Sequence, residues 1–286
     1  MTEPRSWLFV PGDSEKKIAR GLAGDADAVI LDLEDSVAPA NKTAARAIAA
    51  QALGGPRRDD QQLWVRINPL DSGLAEDDIA AIAAARPDGV MLPKSESGEH
   101  VVRLAALLHA QGAAAADIAI IALVTETPQS LFGAGSYRGV SGRLKALTWG
   151  AEDLSSALGA SAKYGPDGEL DFTYKLARSL CLAGAVAASV QPVDGVWPDF
   201  RDTEGLAGDC ERSRREGFTG MLAIHPAQVP VINAAFTPSA GEIAHATAVV
   251  EAFADNPDAG TIGLDGKMID RPHLVQAQRL LERAKA

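Results

Sequence analysis

Charged and polar residues recur immediately after short apolar runs of this chain. They are Asp32, Glu34 and Asp35, then Arg66 and Asn68, then Lys94, Glu126, Glu152 with Asp153, Asp199 and His225. Glu126 and Asp153 are hard oxygen donors with no soft donor beside them. None of the five histidines has the spacing of a zinc motif. Two carboxylates, with water and substrate in the open positions, suit magnesium better than zinc. The competing use is helix capping, which Thr125 or Thr127 could also supply. Arg66 closes the run VRINP. Turned into a site, it is a fixed fork for a carboxylate or a developing oxyanion; otherwise it pairs with Asp32 or Glu34. Lys94 in Leu92-Pro93-Lys94 invites comparison with Schiff-base lysines. Surrounding carboxylates hold a lysine pKa high, which argues against an activated amine. His225, between Ile224 and Pro226, reads as a hydrogen-bonded structural residue rather than a catalyst.

Those residues need elements to hold them. Apolar runs alternate with Ala-rich helical stretches along most of the chain. Strands are predicted at 7–10, 28–33, 63–67, 89–92, 118–124, 146–149, 195–197 and 221–224. Helices are predicted at 15–22, 42–53, 76–85, 100–111, 128–132, 172–188, 203–216 and 226–234. Strands without polar alternation belong to a parallel sheet covered on both faces. Eight βα units imply a (β/α)8 TIM barrel, with a doubly wound sheet as the runner-up. In a barrel the active site lies at the C-terminal strand ends, where the charged residues collect. The tail departs from the alternation. A helix over 240–254 is followed by a turn-rich break, a short strand pair or loop around Asp265-Gly266, and a last helix opening at Pro272. The predicted division is a barrel over 1–238 and a C-terminal helix and lid extension over 239–286.

The 286 residues carry 27 Lys plus Arg against 38 Asp plus Glu, a net charge of −11. That balance argues against a nucleic-acid or anionic-membrane partner, although a local basic pocket could still take a small phosphorylated ligand. Lys16, Lys17, Arg20 and Lys42 form one local basic group, better read as a solvated helix face. No glycine-rich phosphate loop of Walker or Rossmann form is present. With 47% apolar and 23% charged residues the chain is globular. Two cysteines make neither a disulfide framework nor a thiolate zinc site; Cys181 reads as core and Cys210 as helix surface. Met1–Arg5 lacks a signal peptide's basic region, and the longest apolar run, Ala113–Val124, is too short to span a bilayer. A cytoplasmic protein is expected.

Taken in order, RSWLFVPG (5–12), ADAVILDLEDSV (26–37), VRINP (65–69), MLPK (91–94), LVTETP (123–128), TWGAEDL (148–154), GFTGMLAIHPAQV (217–229) and GKMIDRP (266–272) resemble the HpcH/HpaI aldolase and citrate lyase β-subunit family. The likeness runs nearly end to end. It is nearest to the citrate-lyase-β-like acyl-CoA lyases, with citramalyl-CoA and malyl-CoA lyases as relatives. The resemblance implies magnesium on Glu126 and Asp153, substrate contact by Arg66, and a keto-acid carboxylate held by backbone N–H groups near Glu152 and Asp153. It implies that Asp270 reaches into a neighbouring subunit as catalytic acid/base, in an oligomer that is typically a trimer. Phe9 and Arg20 would help bind coenzyme A. Ser14 stands where a further arginine is common, a departure from the pattern. The implied reaction is cleavage or formation of a 3-hydroxy-3-carboxyacyl-CoA, giving a keto acid and acetyl-CoA. The alternatives are a β subunit acting on an acyl-carrier-protein thioester, a malyl-CoA thioesterase, a CoA-independent keto-acid aldolase and a non-catalytic acyl-CoA binder. The tail carrying Asp270 favours a free CoA thioester.

Overall fold

In the computed structural model, which describes residues 3–284, eight parallel strands pair in chain order and close into a barrel. They are β1 (Ser6–Pro11), β2 (Ala28–Asp32), β3 (Gln62–Arg66), β4 (Gly89–Ser95), β5 (Ala119–Val124), β6 (Leu144–Thr148), β7 (Gln191–Asp194) and β8 (Gly220–Ala223). The expected (β/α)8 barrel is therefore present, and the doubly wound alternative is not.

Alternate residues of each strand face opposite sides, which sorts the apolar residues into two cores. Trp7, Ile30, Trp64, Met91, Ile121 and Leu222 pack in the barrel interior. Leu8, Val29, Leu31, Val65, Val90 and Ile120 pack in the larger core under the helices. Trp7 and Trp64 meet edge to face with ring centroids 5.0 Å apart. Gly89 is required there, because a Cβ would stand 2.1 Å from Trp64 Cζ3.

The surrounding helices are α1 (Glu15–Leu22), α2 (Lys42–Leu53), α3 (Ala75–Ala83), α4 (Gly98–Ala110), α5 (Pro128–Gly133), α6 (Ala151–Leu158), α7 (Phe172–Ala188), α8 (Thr203–Glu216) and α9 (Val229–Phe236). Three expectations need correction. β7 lies four residues upstream of the predicted 195–197, so the residue closing it is Asp194 and not Asp199. Pro192 inside the strand and the apolar Val196-Trp197 beyond it disguised the register. Helix α6, absent from the predicted set, follows β6 directly and ends at Gly159 in the left-handed region (φ 66°). Cys210 is buried, against the expected surface position. Its sequence neighbours are charged, but it shares the inward face of α8 with Leu206 and Ser213.

Beyond the barrel, α10 (Ala240–Asp255), a hairpin of β9 (Thr261–Leu264) and β10 (Lys267–Asp270), and α11 (Arg271–Ala284) form the extension. Asp265 (φ 50°) and Gly266 (φ 74°) make the two-residue hairpin turn, as Asp-Gly favours. Val249, Phe253, Ile269 and Ala277 give the extension an apolar cluster of its own. The far end of α11 lies beside Glu3–Arg5, Gln62 and Thr219, at the N-terminal ends of the barrel strands. Among the described residues no helix is long and apolar enough to cross a membrane.

Candidate active site

Strand β2 ends at Asp32, whose carboxylate accepts the backbone N–H groups of Glu34 (2.9 Å) and Ser36 (3.0 Å). That turn directs Glu34 inward, where it is buried. Arg66, at the end of β3, donates Nε to Asp32 Oδ1 and Nη2 to Asp32 Oδ2, each at 2.7 Å. Its Nη1 lies 3.0 Å from Glu34 Oε2, and its guanidinium stacks 4.8 Å from the Phe9 ring centroid. Arg66 is thus paired, as one of its two readings expected, and it also lines the cavity at the C-terminal strand ends. Burial alone would lower its pKa; Asp32, Glu34 and Glu126 outweigh that and raise it, so it is a permanent cation. For Asp32, burial pushes the pKa up but the Arg66 hydrogen bonds and charge win, and the net shift is downward.

Lys94 stands where β4 loses its register with β5, between Leu92 and Ser95. Its φ of 50° is unusual for a side-chain-bearing residue. The backbone N–H donates to Glu126 Oε2 at 2.5 Å. The ammonium lies 2.5 Å from Glu34 Oε1, 2.7 Å from Asp153 Oδ2 and 3.8 Å from Asp35 Oδ2. Burial lowers its pKa, but the contacts with Asp153 and Glu34 raise it further, so it stays protonated. This agrees with the argument against Schiff-base chemistry.

Glu126 follows β5 and is buried behind Thr125, itself at φ 98°. Burial pushes the Glu126 pKa up to about 8; Glu34 and Asp153 add to the rise, and Lys94 opposes it. Capping does not occupy these carboxylates. Thr127 and Ser130 form the capping box of α5, and α6 starts at Gly150 with no side-chain cap. A Cβ on Gly150 would meet Leu123 Cδ2 at 3.2 Å and Glu126 Cγ at 3.4 Å, so the glycine lets the α6 N-terminus approach Glu126. Asp153 sits in the first turn of α6, half-buried.

Glu34, Asp35 and Asp153 each offer an oxygen within 4.8 Å of the others. The Lys94 ammonium already lies against that trio, so it is a poor place for a second cation. Among the described residues, Glu126 Oε1 and Asp153 Oδ1 have neither hydrogen bond nor ion pair, and buried Asp153 Oδ2 has the Lys94 ion pair but no hydrogen bond. Hard oxygen donors with no thiol or imidazole among them fit magnesium.

The cavity of about 400 Å³ includes Phe9, Arg66, Glu126, Glu152 and Asp153 in its lining. Glu152 is exposed and ion-paired with Lys163. Arg20 and Asp270 do not line it. Arg20 is exposed on the last turn of α1, and Asp270 bonds His273 Nδ1 at 2.5 Å within the extension. Lys42 is no free phosphate ligand: its Nζ donates to Leu33 O, Glu34 O and Asn68 Oδ1. His225 accepts from Ala227 N at 3.1 Å and stacks on Phe200, a structural use. One cluster of three escaped the sequence reading. Asp194, at the true end of β7, accepts Trp149 Nε1 (2.6 Å) and Arg178 Nη2 (2.6 Å), and these three residues wall the cavity. Placing the strand on QPVD would have exposed Asp194 as a strand-end carboxylate.

The HpcH/HpaI aldolase/citrate lyase family model matches residues 5–226. The chain belongs to that family. A second model, for carbon–carbon bond lyases of the TIM-barrel fold, matches residues 178–286 of this citrate-lyase-family chain. It is thus an enzyme of a lyase family. A (3S)-malyl-CoA thioesterase of Cereibacter sphaeroides is 37% identical, over 99% of this chain and 95% of that protein. The citrate lyase subunit beta of Haemophilus influenzae is 33% identical, over 99% and 97%. The crystal structure of CitE from Mycobacterium tuberculosis with magnesium, acetoacetate and coenzyme A matches with a TM-score of 0.80 at 34% identity, covering 99% of this chain and 98% of that one.

Proposed function

We propose that this family member is a magnesium-dependent carbon–carbon lyase acting on a 3-hydroxy-3-carboxyacyl-CoA of the citramalyl-, malyl- or citryl-CoA kind. The observation that carries this is one cavity lined by the permanent cation Arg66 and by two carboxylates, Glu126 and Asp153, each with one oxygen unclaimed by protein. Magnesium, held by Glu126 and Asp153, would supply Lewis acidity to the substrate's hydroxyl and neighbouring carboxylate. The uncapped N-terminus of α6 offers its N–H groups, around Glu152 and Asp153, to the carboxylate. The hydroxyl gives up its proton to solvent as the C2–C3 bond breaks; the bond's electron pair moves onto the thioester as its enolate, and the hydroxyl carbon becomes the keto-acid carbonyl. Arg66 stabilises the developing thioester oxyanion. Asp270 lies outside its own chain's cavity; in this proposal a neighbouring copy's Asp270 protonates the enolate carbon, and the working unit is a homo-oligomer, a trimer by family likeness. Phe9 would contact coenzyme A within the cavity and Arg20 the part that runs over the surface. Location in the cytoplasm belongs to this proposal, and two buried free cysteines suit a reducing compartment.

The 37% identity to a malyl-CoA thioesterase along nearly the whole chain favours one second reading, in which the same cavity directs water to the thioester. One assay separates them: CoA release and keto-acid formation from citramalyl-CoA, malyl-CoA and citryl-CoA, with magnesium or with EDTA. Stoichiometric CoA-ester and keto acid, abolished by EDTA, supports the lyase. Free CoA without keto acid supports hydrolysis. Turnover of none refutes both.

A further inference from the structure

Lys94 touches both carboxylates assigned to magnesium, by two different atoms. Its backbone N–H holds Glu126 Oε2 at 2.5 Å, and its ammonium holds Asp153 Oδ2 at 2.7 Å. A residue on a regular strand could not do this, because its N–H would point at a neighbouring strand. The register break of β4 and the left-handed backbone at Lys94 free the N–H for Glu126. Such a backbone costs energy and persists where its surroundings fix it. Glu34, held by Arg66, anchors the ammonium from the far side.

We infer that Lys94 is a positioning residue that makes Glu126 and Asp153 single-oxygen donors, and that this sets the site's preference for a small divalent cation over a large one. With Glu126 Oε2 hydrogen-bonded and Asp153 Oδ2 held against the ammonium as a buried ion pair, Glu126 Oε1 and Asp153 Oδ1 remain. A bidentate grip by either carboxylate would require Lys94 to let go. Magnesium demands near-octahedral geometry, takes one or two carboxylates and keeps several waters. Calcium takes six to eight oxygens and readily accepts bidentate carboxylates. Locking both carboxylates to one oxygen therefore disfavours calcium more than magnesium.

This rests on the proposal that Glu126 and Asp153 hold the metal, and the experiment separates the two. Metal-free wild-type and Lys94→Met proteins are titrated with Mg²⁺ and with Ca²⁺ by calorimetry, without substrate. Methionine keeps the backbone anchor on Glu126 but releases Asp153. Loss of a positive charge raises the affinity for both ions, so the informative quantity is the ratio of the two dissociation constants. The magnesium preference is expected to fall about tenfold or more in Lys94→Met, the scale on which partners of metal ligands act. An unchanged ratio overturns the inference while leaving the metal assignment standing. No Mg²⁺ binding by the wild type, or binding that survives Glu126→Gln/Asp153→Asn undiminished, overturns the metal assignment and the inference with it. Should Lys94→Met fail to fold, the charge-balanced Glu34→Gln/Lys94→Met removes ammonium and carboxylate together and reads the same ratio.

Discussion

Two 2.7 Å hydrogen bonds tie Arg66 to Asp32, and a third contact reaches Glu34, all three residues being largely buried. Removing the guanidinium would leave buried Asp32 without its cation and Glu34 with Lys94 alone. Arg66→Ala is accordingly expected to lose about 3–5 kcal/mol of stability, the usual cost of breaking a buried pair. Arg66→Lys keeps the charge but not the planar fork. It should retain most stability while kcat falls on the order of 10²–10³, as for loss of an oxyanion donor. Urea unfolding and steady-state kinetics on the same two variants test this; equal kcat losses without a stability difference would contradict it. Glu126 gives a pH prediction of definite sign. Its pKa rises from 4.5 unfolded to about 8 folded, so between these values the folded metal-free protein binds more protons than the unfolded one. Its stability therefore falls as pH rises through that interval. A cation at Glu126 removes the cause. Thermal melts with and without Mg²⁺ should show a stabilisation that grows from pH 6 to 8, and Glu126→Gln should abolish the growth.

At the scale of elements, close approaches of backbone and side chain decide where the site residues stand. Gly89 gives β4 the room to lie against Trp64 in the barrel interior. Gly89→Ala should cost at least the ~1–3 kcal/mol of overpacking, read by urea denaturation, because the obstacle is a rigid indole in a full core. Much of this level was legible in the sequence. α2, α7 and α8 begin and end where the periodicity places them, and the meeting of Arg66, Glu126 and Asp153 in one cavity, with Asp32 bonded to Arg66, follows from positions after the strands. The failures share a cause. β7 is four residues long and contains a proline, so the longer apolar stretch after it carried the stronger signal. α6 has eight residues and no capping side chain to announce it. Cys210 has charged sequence neighbours, but its neighbours on the helix face are those three and four residues away. Lys94 could be recognised as a strand-end lysine, but its double hold depends on a backbone angle that a strand-by-strand reading cannot supply.

For the whole molecule the open geometric fact is that Asp270 and the cavity are separate within one chain. Asp270 ends β10 in an extension that has its own apolar cluster, and α11 leads from it to the N-terminal end of the barrel. If Asp270 acts on a neighbouring copy, each working site combines Arg66, Glu126 and Asp153 of one chain with Asp270 of the next. Complementation then has a calculable outcome. Asp270→Asn and Glu126→Gln should each be inactive alone. After subunit exchange in an equal mixture, half of the cavities retain Glu126, and half of those are served by a chain that retains Asp270. In any closed ring of heterologous contacts the mixture should recover about a quarter of wild-type activity. If Asp270 serves its own chain, every site in the mixture lacks one group and activity stays at the level of the single variants. Dependence on exchange time distinguishes recovery from trace contamination: separately purified oligomers should be inactive on mixing and gain activity only as subunits redistribute.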